Sequence, residues 1–425
     1  MVDTGMTAWM LISASLVLLM TPGLAFFYGG MVRGKSVLNM LMMSFGAMGV
    51  IGILYVLYGW SMSYAEGSIG GIFGNPFEQW GLKGVFEVTD GQFGFTIKDG
   101  LPVIVDVGFQ VTFAIITVAL ISGAIADRVK YGSWLVFVGL FVTLSYFPLA
   151  HMVWGGGLLS HEGPFAKIAG PVDFAGGTVV HINAGIAALV LALVIGKRKG
   201  FGKEPMRPHN LPFVMLGAAL LWFGWFGFNA GSAYNADGMA GLAWVNTTTA
   251  TAAAMAGWLI TEKIRDGHAT SLGAASGIVA GLVAITPAAG SLTPVGSIGL
   301  GVVAGILSAL AVGLKYKFGY DDSLDVVGVH LVSGLWGTVA IGLLAVDGGV
   351  FYGGNLNLLL VQIIIAVVAM AFSGIVTLVI ALIIKKTMGW RVTEAQEVGG
   401  IDLAVHGESA YESLGASRSY SEVSK

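Results

Sequence analysis

Two short segments place a histidine inside otherwise apolar sequence, and they share one pattern. The first reads VVHINAG around His181 and the second reads GVHLVSG around His330. Each histidine is followed by two variable residues, a small residue and a glycine, and each has an aspartate upstream, Asp173 or Asp325. Because an ionisable side chain is costly in an apolar stretch, we treat both histidines as candidates for function.

The chemistry open to two buried imidazoles is limited. A single buried histidine is more often a satisfied core residue, but two at matching positions of a repeat favour function. Burial disfavours the imidazolium, so we expect His181 and His330 to be mostly neutral at pH 7. Such a pair can hydrogen-bond a small polar neutral molecule or relay a proton. The chain has no cysteine and places no carboxylate at the same depth, so we predict no zinc or other metal site.

The two upstream aspartates are better explained by structure than by chemistry. Asp173 follows Pro171 and precedes two glycines, which is typical of a residue that caps the start of a helix. We expect Asp173 to cap the fifth apolar segment and Asp325 to do the same for the tenth. Attraction of a cation by Asp173 is a secondary possibility.

Aromatic residues cluster beside small residues in HMVWGGG, which contains Trp154, and in LWFGWFGFNAGS, which ends at Ser232. Tryptophan at the end of a membrane span is normally an interface anchor. The functional alternative is a cation–π site that attracts a small cation, with the Ser232 hydroxyl as an additional acceptor. Both interpretations of Trp154 stay open at this point.

The composition is that of a polytopic membrane protein. Of the 425 residues, 56% are hydrophobic and 11% are charged, whereas soluble domains carry about 25% charged residues. The mean hydropathy is +0.82. A net charge of −3 argues against nucleic acid as a partner.

Eleven apolar segments are long enough to span a bilayer, which needs about 20 residues. Of the 21 Lys and Arg residues, 16 fall in one alternating set of loops or just after the last span. This bias predicts an N-terminus outside and a C-terminus in the cytoplasm. The predicted spans are 7–29, 37–62, 104–126, 132–154, 173–196, 211–232, 241–260, 270–286, 296–314, 324–346 and 357–384.

The two histidine motifs lie five spans apart, in spans five and ten, so the repeats that carry them must be inverted. Inverted repeats that meet near the midplane are a recurring design of transporters. At 1.5 Å per residue, His181 lies roughly 12 Å below Asp173. Helices entering from opposite faces would bring His181 and His330 together in one central path. We therefore predict an all-α polytopic membrane protein with eleven transmembrane helices, as two inverted five-helix repeats plus one extra helix.

Five ordered motifs give the chain a specific resemblance. The sequence resembles the ammonium transporter (Amt/Mep/Rh) family, on its bacterial and archaeal Amt side, from residue 22 to about residue 411. The motifs are HMVWGGG, DFAGGTVVHINAG, GWFGFNAGS, DVVGVHLVSG and the tail RVTEAQEVGGIDLAVHGESAY. Two departures are a long stretch at 155–172 and a Ser-rich end at 413–425, which we expect to be disordered.

The resemblance implies specific roles for residues of this chain. The outer ammonium site of the family matches Trp154, Phe113 and Ser232, and its phenylalanine gate matches Phe113 and Phe228. Its twin pore histidines match His181 and His330, and its essential aspartate, commonly viewed as structural, matches Asp173. The resemblance also implies a homotrimer and a tail that docks cytoplasmic signal proteins of the PII class.

We therefore expect an ammonium transporter in the cell membrane that takes up nitrogen. Its membrane part is residues 1–386 and its cytoplasmic tail is residues 387–425. Ammonium would be recruited by the aromatic site, lose a proton at the gate and pass the histidines as NH3, with or without a relayed proton. The alternatives are an ammonium sensor and a neutral NH3 or CO2 gas channel. We expect neither an enzyme nor a cofactor, because hydrolase motifs and paired carboxylates at one depth are missing.

Overall fold

The computed structural model describes residues 1–411, and a helix overlaps each of the eleven predicted spans. The Ser-rich end at 413–425 lies outside the described residues. The helices are α1 Thr4–Met31, α2 Val37–Tyr64, α3 Val103–Ile125, α4 Tyr131–Trp154, α5 Gly177–Ile195, α6 Leu211–Ala233, α7 Gly238–Asp266, α8 Ser271–Ile285, α9 Pro294–Phe318, α10 Val327–Leu344 and α11 Asn357–Thr387.

Nine of these helices, counted over residues 1–411, are long and apolar enough to cross a membrane. The two others are α7, which is long but more polar, and α8, which has 15 residues. That α7 and α8 also cross the bilayer stays a prediction, as does the orientation of the chain.

The two ends of the helix bundle differ. One end, here called the hairpin end, carries the segment 65–102, which folds into three short antiparallel hairpins. The other end, here called the tail end, carries residues 391–411 with the short helix α12 Glu394–Gly399. The hairpins pair β1 Ser68–Ile69 with β2 Phe73–Gly74, β3 Phe86–Thr89 with β4 Gln92–Phe95, and β5 Ile97–Lys98 with β6 Leu101–Pro102.

Small residues set how closely the helices pack. In the contact between α7 and α9, a Cβ atom on Gly301 would lie 2.2 Å from the carbonyl oxygen of Ala250. A Cβ atom on Gly305 would lie 2.1 Å from the carbonyl oxygen of Ala254. Close backbone contact through small residues is a common way for helices to associate in a bilayer, where water does not drive apolar surfaces together. The high glycine content therefore serves helix packing.

Helices α5 and α10 enter the bundle from opposite ends. The residues before α5 lie at the hairpin end, where Trp154 donates a hydrogen bond to the Asp173 carbonyl. The residues before α10 lie at the tail end, where Ser323 N–H donates to the Ala124 carbonyl. This antiparallel arrangement agrees with the inverted relation predicted from the two histidine motifs.

Four loops at the tail end are joined by charged side chains, most of them buried. Arg198 donates to Asp321 with Nη2···Oδ1 at 2.9 Å and contacts Asp127 with Nη1···Oδ2 at 3.2 Å. Arg33 lies 3.4 Å from the same Asp127 oxygen. Arg128 is 0% exposed and donates to the carbonyls of Ala124, Ala126, Gly196 and Asp321. In the sequence these arginines contribute only to the Lys and Arg bias that predicts the orientation of the chain. The structure adds a structural role for them. We call Arg33, Asp127, Arg128, Arg198 and Asp321 the four-loop network.

The surroundings of the network shift the pKa values of its buried groups. Burial lowers the pKa of Arg128 to about 10, so this guanidinium still carries its charge at neutral pH. Burial alone would raise the pKa of Asp321, but the hydrogen bonds from Arg198 and the positive charges of Arg128 and Arg198 together outweigh burial and keep that pKa below its ordinary value. Arg128 and Asp321 are therefore both charged at neutral pH.

The tail packs against the bundle through residue 411. The carboxylate of Asp402 accepts hydrogen bonds from Leu38 N–H at 3.0 Å and from Asn39 N–H at 2.8 Å, which caps the start of α2. His406 contacts the Asn39 side chain, and Tyr411 contacts His209. The segment predicted as a separate tail is thus docked on the membrane part.

Candidate functional site

The two predicted histidines meet in the middle of the bundle. His181 and His330 are 0% and 2% exposed, and their Nδ1 atoms lie 3.4 Å apart. Their ring centroids are 5.5 Å apart with an angle of 24° between the planes. This contact needs only one hydrogen between the two nitrogens. It therefore fits two neutral imidazoles, in which the Nδ1–H of one ring donates to the Nδ1 of the other.

Each histidine lies in a π-helical turn at the start of its helix. The turns are Gly177–Ile182 in α5 and Val327–Leu331 in α10. Single π-turns inside helices occur frequently at functional sites. The sequence patterns did not reveal this feature, which occurs in both halves of the repeat.

The glycines of the two motifs let the helices approach each other. Gly185 follows His181 by four residues, and a Cβ atom there would lie 2.6 Å from both N and Cβ of Leu331. Gly334 follows His330 by four residues, and a Cβ atom there would lie 3.0 Å from Cβ of His181. The glycine of each motif therefore packs on the histidine turn of the other helix, which explains the repeated spacing.

One ring nitrogen of the pair is fully buried and has no hydrogen-bond partner among the described residues. The Nε2 atom of His181 is buried and makes no hydrogen bond to any described residue. The same ring stacks on Trp225 at 5.5 Å with an angle of 18°. Trp225 is fixed in turn by its Nε1–H, which donates to Thr286 Oγ1 at 2.8 Å. Trp225 holds the imidazole plane and leaves one ring nitrogen open for a small molecule.

Asp173 caps the turn that carries His181. Its Oδ1 accepts from Gly176 N–H at 2.8 Å and from Gly177 N–H at 2.6 Å, and its Oδ2 accepts from Thr178 N–H at 2.8 Å. Its carboxylate also accepts from the Thr178 hydroxyl. All of these contacts are internal to the start of α5, which is the geometry of a helix cap.

The prediction that Asp325 caps the tenth span was wrong, because the cap is Asp322. The Asp322 carboxylate accepts from Val326 N–H at 3.1 Å and from Val327 N–H at 2.7 Å. Asp325 instead has a left-handed backbone with φ of 64° and pairs with Lys315, Nζ···Oδ1 at 2.6 Å. The DDSLD segment offers three acids, and the local backbone decides which of them faces the helix start.

The aromatic residues form a continuous series from the hairpin end to the histidines. The ring centroids are 6.2 Å apart for Trp154 and Phe113, 4.2 Å for Phe113 and Phe228, and 6.2 Å for Phe228 and His181. We call Trp154, Phe113, Phe228, His181 and His330 the ring column. Phe113 and Phe228 are 1% and 0% exposed, so the column is closed where these two rings meet.

A cavity of about 470 Å³ lies at the hairpin end of the ring column. Ser232 lines it, and the Ser232 hydroxyl donates to the Phe228 carbonyl at 2.7 Å. Since that hydrogen is used, the oxygen presents lone pairs and acts as an acceptor toward the cavity. We call this space the mouth cavity, and it brings together three residues predicted for recruitment, Trp154, Phe113 and Ser232.

The sequence patterns did not single out several residues of the site. Trp225 lies three residues before Phe228 and seven before Ser232, so its helical spacing was a usable signal for a shared face. Asp106, Gln110 and Tyr234, which also line the mouth cavity, were not singled out. Among residues 1–411 no group of three or more His, Asp or Glu side chains is arranged to hold a metal ion.

Comparisons with known proteins agree with the resemblance seen in the motifs. The model of the Ammonium Transporter Family matches residues 8–411. An ammonium transporter of Mycobacterium tuberculosis strain H37Rv is 57% identical over 440 residues, covering 98% of this chain and 92% of the relative.

Two solved structures have the same fold. The crystal structure of Saccharomyces cerevisiae Mep2 is similar with a TM-score of 0.82 and 32% identity, over 92% of this chain and 91% of that chain. A structure described as a sensor Amt protein gives a TM-score of 0.85 and 26% identity, over 94% of this chain and 98% of that chain.

Proposed function

The chain belongs to the ammonium transporter family, and we propose that it moves ammonium across the cell membrane along the ring column. Relatives of this kind are transporters and not enzymes. The observation that carries the proposal is the unbroken sequence of rings from Trp154 to the paired imidazoles of His181 and His330.

Recruitment is assigned to the mouth cavity. The faces of Trp154 and Phe113 offer the negative side of a ring quadrupole to a small cation. The Ser232 oxygen adds an acceptor for one N–H of ammonium. These three groups thus bind the cation without a formal charge of their own.

Selection is assigned to the closed contact between Phe113 and Phe228. A potassium ion has nearly the size of ammonium but cannot lose a proton, so it would enter the dry column charged, at a cost of many kcal/mol. Ammonium can divide into a proton and neutral NH3, whose desolvation is far cheaper. In this proposal deprotonation occurs before or at the two phenylalanines, and the proton either returns to solvent at the hairpin end or passes along the histidine pair.

The histidine pair is assigned to conduction. NH3 needs a hydrogen-bond partner in an apolar lumen, and the open Nε2 of His181 can supply one. The Nδ1 contact to His330 gives a route for a proton between the rings. Whether a proton follows NH3 decides if transport carries net charge.

The surroundings of the site are part of the proposal. We place the N-terminus and the hairpin end outside and the tail in the cytoplasm, following the distribution of Lys and Arg. The apolar side chains exposed along the helices suit lipid and, by the resemblance, a homotrimer. The docked tail is proposed to couple the bundle to a cytoplasmic PII-class signal protein.

The deciding experiment is the current from purified protein in liposomes after an ammonium jump, with K⁺ as the control cation. A current specific to ammonium supports a transporter that carries net charge. No current combined with a rise of luminal pH would favour the alternative of a neutral NH3 or CO2 channel. Neither current nor pH change would favour the alternative of a sensor, which is how one of the similar solved structures is described.

A further inference from the structure

The mouth cavity has a polar wall that the proposed mechanism does not use. Helix α3 presents Asp106, Gln110 and Phe113 to this cavity. The spacings of four and three residues place all three side chains on one face of the helix. Asp106 therefore lies on the same stripe as the gate ring, nearer the hairpin end by about 10 Å.

A short series of hydrogen bonds ends on this carboxylate. The Nε2–H of Gln110 donates to the Tyr234 oxygen at 2.6 Å, and the Tyr234 hydroxyl donates to Asp106 Oδ1 at 2.7 Å. Because the Tyr234 oxygen accepts from Gln110, its own hydrogen points to Asp106. The Tyr234 hydroxyl is thus committed to Asp106, and the acceptor oxygens of Asp106 and Gln110 remain for a bound molecule.

Two residues that line the cavity carry a buried polar atom with no hydrogen-bond partner in the described part of the chain. Gln110 is 7% exposed, yet its Oε1 has no partner among the described residues. The buried hydroxyl of Tyr64, which lines the same cavity, is also without a partner in that part of the chain. A buried amide oxygen without a partner is costly, which points to a ligand that supplies N–H donors.

The charge of Asp106 is not neutralised by a direct ion pair. No Lys, Arg or His nitrogen of residues 1–411 lies within salt-bridge distance of its carboxylate. The other titratable groups that line the cavity are Lys98, His161, Glu162 and the tyrosines Tyr64 and Tyr234. A half-buried carboxylate in such a cavity attracts small cations and raises their local concentration.

We propose that Asp106, Gln110 and Tyr234 form a cation subsite that ammonium occupies before it reaches the aromatic residues. The subsite rests on the proposed function, since it feeds the same column. Its carboxylate attracts any small cation, so it concentrates the substrate without choosing it. Selection still takes place at Phe113 and Phe228, where a charge cannot pass.

The test is the concentration dependence of ammonium current in liposomes for Asp106→Asn. Asparagine keeps the shape and the acceptor for Tyr234 but removes the charge. We expect KM to rise about three- to tenfold with an unchanged maximal current and unchanged exclusion of K⁺. Because salt screens charges, the difference from wild type should shrink as N-methylglucamine chloride is added.

Asp90→Asn is the matched control, because it makes the same charge change in the hairpin segment away from the cavity. Asp90 is exposed with φ of 52°, which asparagine tolerates. Its KM should equal that of wild type. Asp106→Glu, which restores the charge, should return KM toward the wild-type value.

Three results would overturn the subsite. They are an unchanged KM in Asp106→Asn, an equal rise in Asp106→Glu, and an equal rise in the Asp90 control. If Asp106→Asn does not fold, the test is the salt dependence of KM in the wild type. The proposal requires that this KM rises as salt is added. A wild type with no ammonium transport would overturn the proposed function as well, whereas normal transport with an unchanged KM overturns the subsite alone.

Discussion

At the residue scale, the imidazole pair has nitrogens that contact each other and a nitrogen without a hydrogen-bond partner among residues 1–411. The two Nδ1 atoms face each other at 3.4 Å, while Nε2 of His181 has no partner among residues 1–411. Alanine at position 181 would remove both the proton route and the hydrogen-bonding nitrogen.

We therefore expect His181→Ala to lower ammonium flux by at least about tenfold or to uncouple proton from NH3 movement. Current and luminal pH in liposomes measure both quantities. His268→Ala, in an exposed loop at the tail end, is the control and should leave flux intact. An unchanged flux with K⁺ still excluded in His181→Ala would refute the role of the pair.

Trp154 has two contacts that a substitution can separate. Its ring faces Phe113, and its Nε1–H donates to the Asp173 carbonyl at 2.9 Å. We expect Trp154→Leu to raise KM roughly three- to tenfold, since a cation–π contact contributes about 0.5–2 kcal/mol. Trp154→Phe, which keeps a ring, should lose less. Uptake at low ammonium measures the effect, with Trp80→Leu in the exposed hairpin segment as control. If Trp154→Leu fails to assemble, the residue is an anchor.

At the element scale, two helices are held in register by reciprocal glycine contacts. We expect Gly334→Ala to push α5 away from α10, because a Cβ atom would lie 3.0 Å from Cβ of His181. Overpacking of this kind costs about 1–3 kcal/mol. Thermal unfolding in detergent and ammonium flux should both decrease. Gly299→Ala is the control, because no atom lies within 4 Å of the added Cβ. Equal behaviour of the two variants would contradict the packing argument.

Sequence patterns predicted the helices and the histidine pair but not their local geometry. The lengths of the apolar segments and the repeated motif sufficed to place His181 and His330 together. Two motifs that lie five spans apart must enter the membrane from opposite faces, which leaves few other arrangements. The π-turns around them were not predicted, because a one-residue change in helical register leaves no mark in composition. The capping role of Asp322 was missed because a backbone angle at Asp325, not residue type, decides it.

At the scale of the whole molecule, buried charges join parts that lie far apart in sequence. The side chains of Arg198 and Asp321 are 5% and 0% exposed, whereas those of Lys199 and Glu394 are 51% and 68% exposed. Removing one partner of a buried pair leaves an uncompensated charge, which costs about 3–5 kcal/mol. Exposed pairs contribute about 0–1 kcal/mol.

We therefore expect Asp321→Asn to lower the melting temperature clearly and Glu394→Gln to leave it nearly unchanged. Thermal unfolding in detergent at pH 7 measures the difference. Because the pKa of Asp321 is lowered by folding, its contribution is present at neutral pH and is lost as the pH falls through that lowered pKa. Similar melting temperatures for the two variants would show that the network does not stabilise the fold.

The four-loop network also bears on how fast the protein can work. It ties the loops before α2, α4, α6 and α10 to one another, so these helices cannot rock against each other without separating ion pairs, two of which are buried. Opening of the closed rings then depends on rotation of Phe113 and Phe228 about their own bonds. Side-chain rotation is far faster than the microseconds to milliseconds of domain motion. We expect turnover to be limited by arrival and deprotonation of ammonium, without a slow conformational cycle.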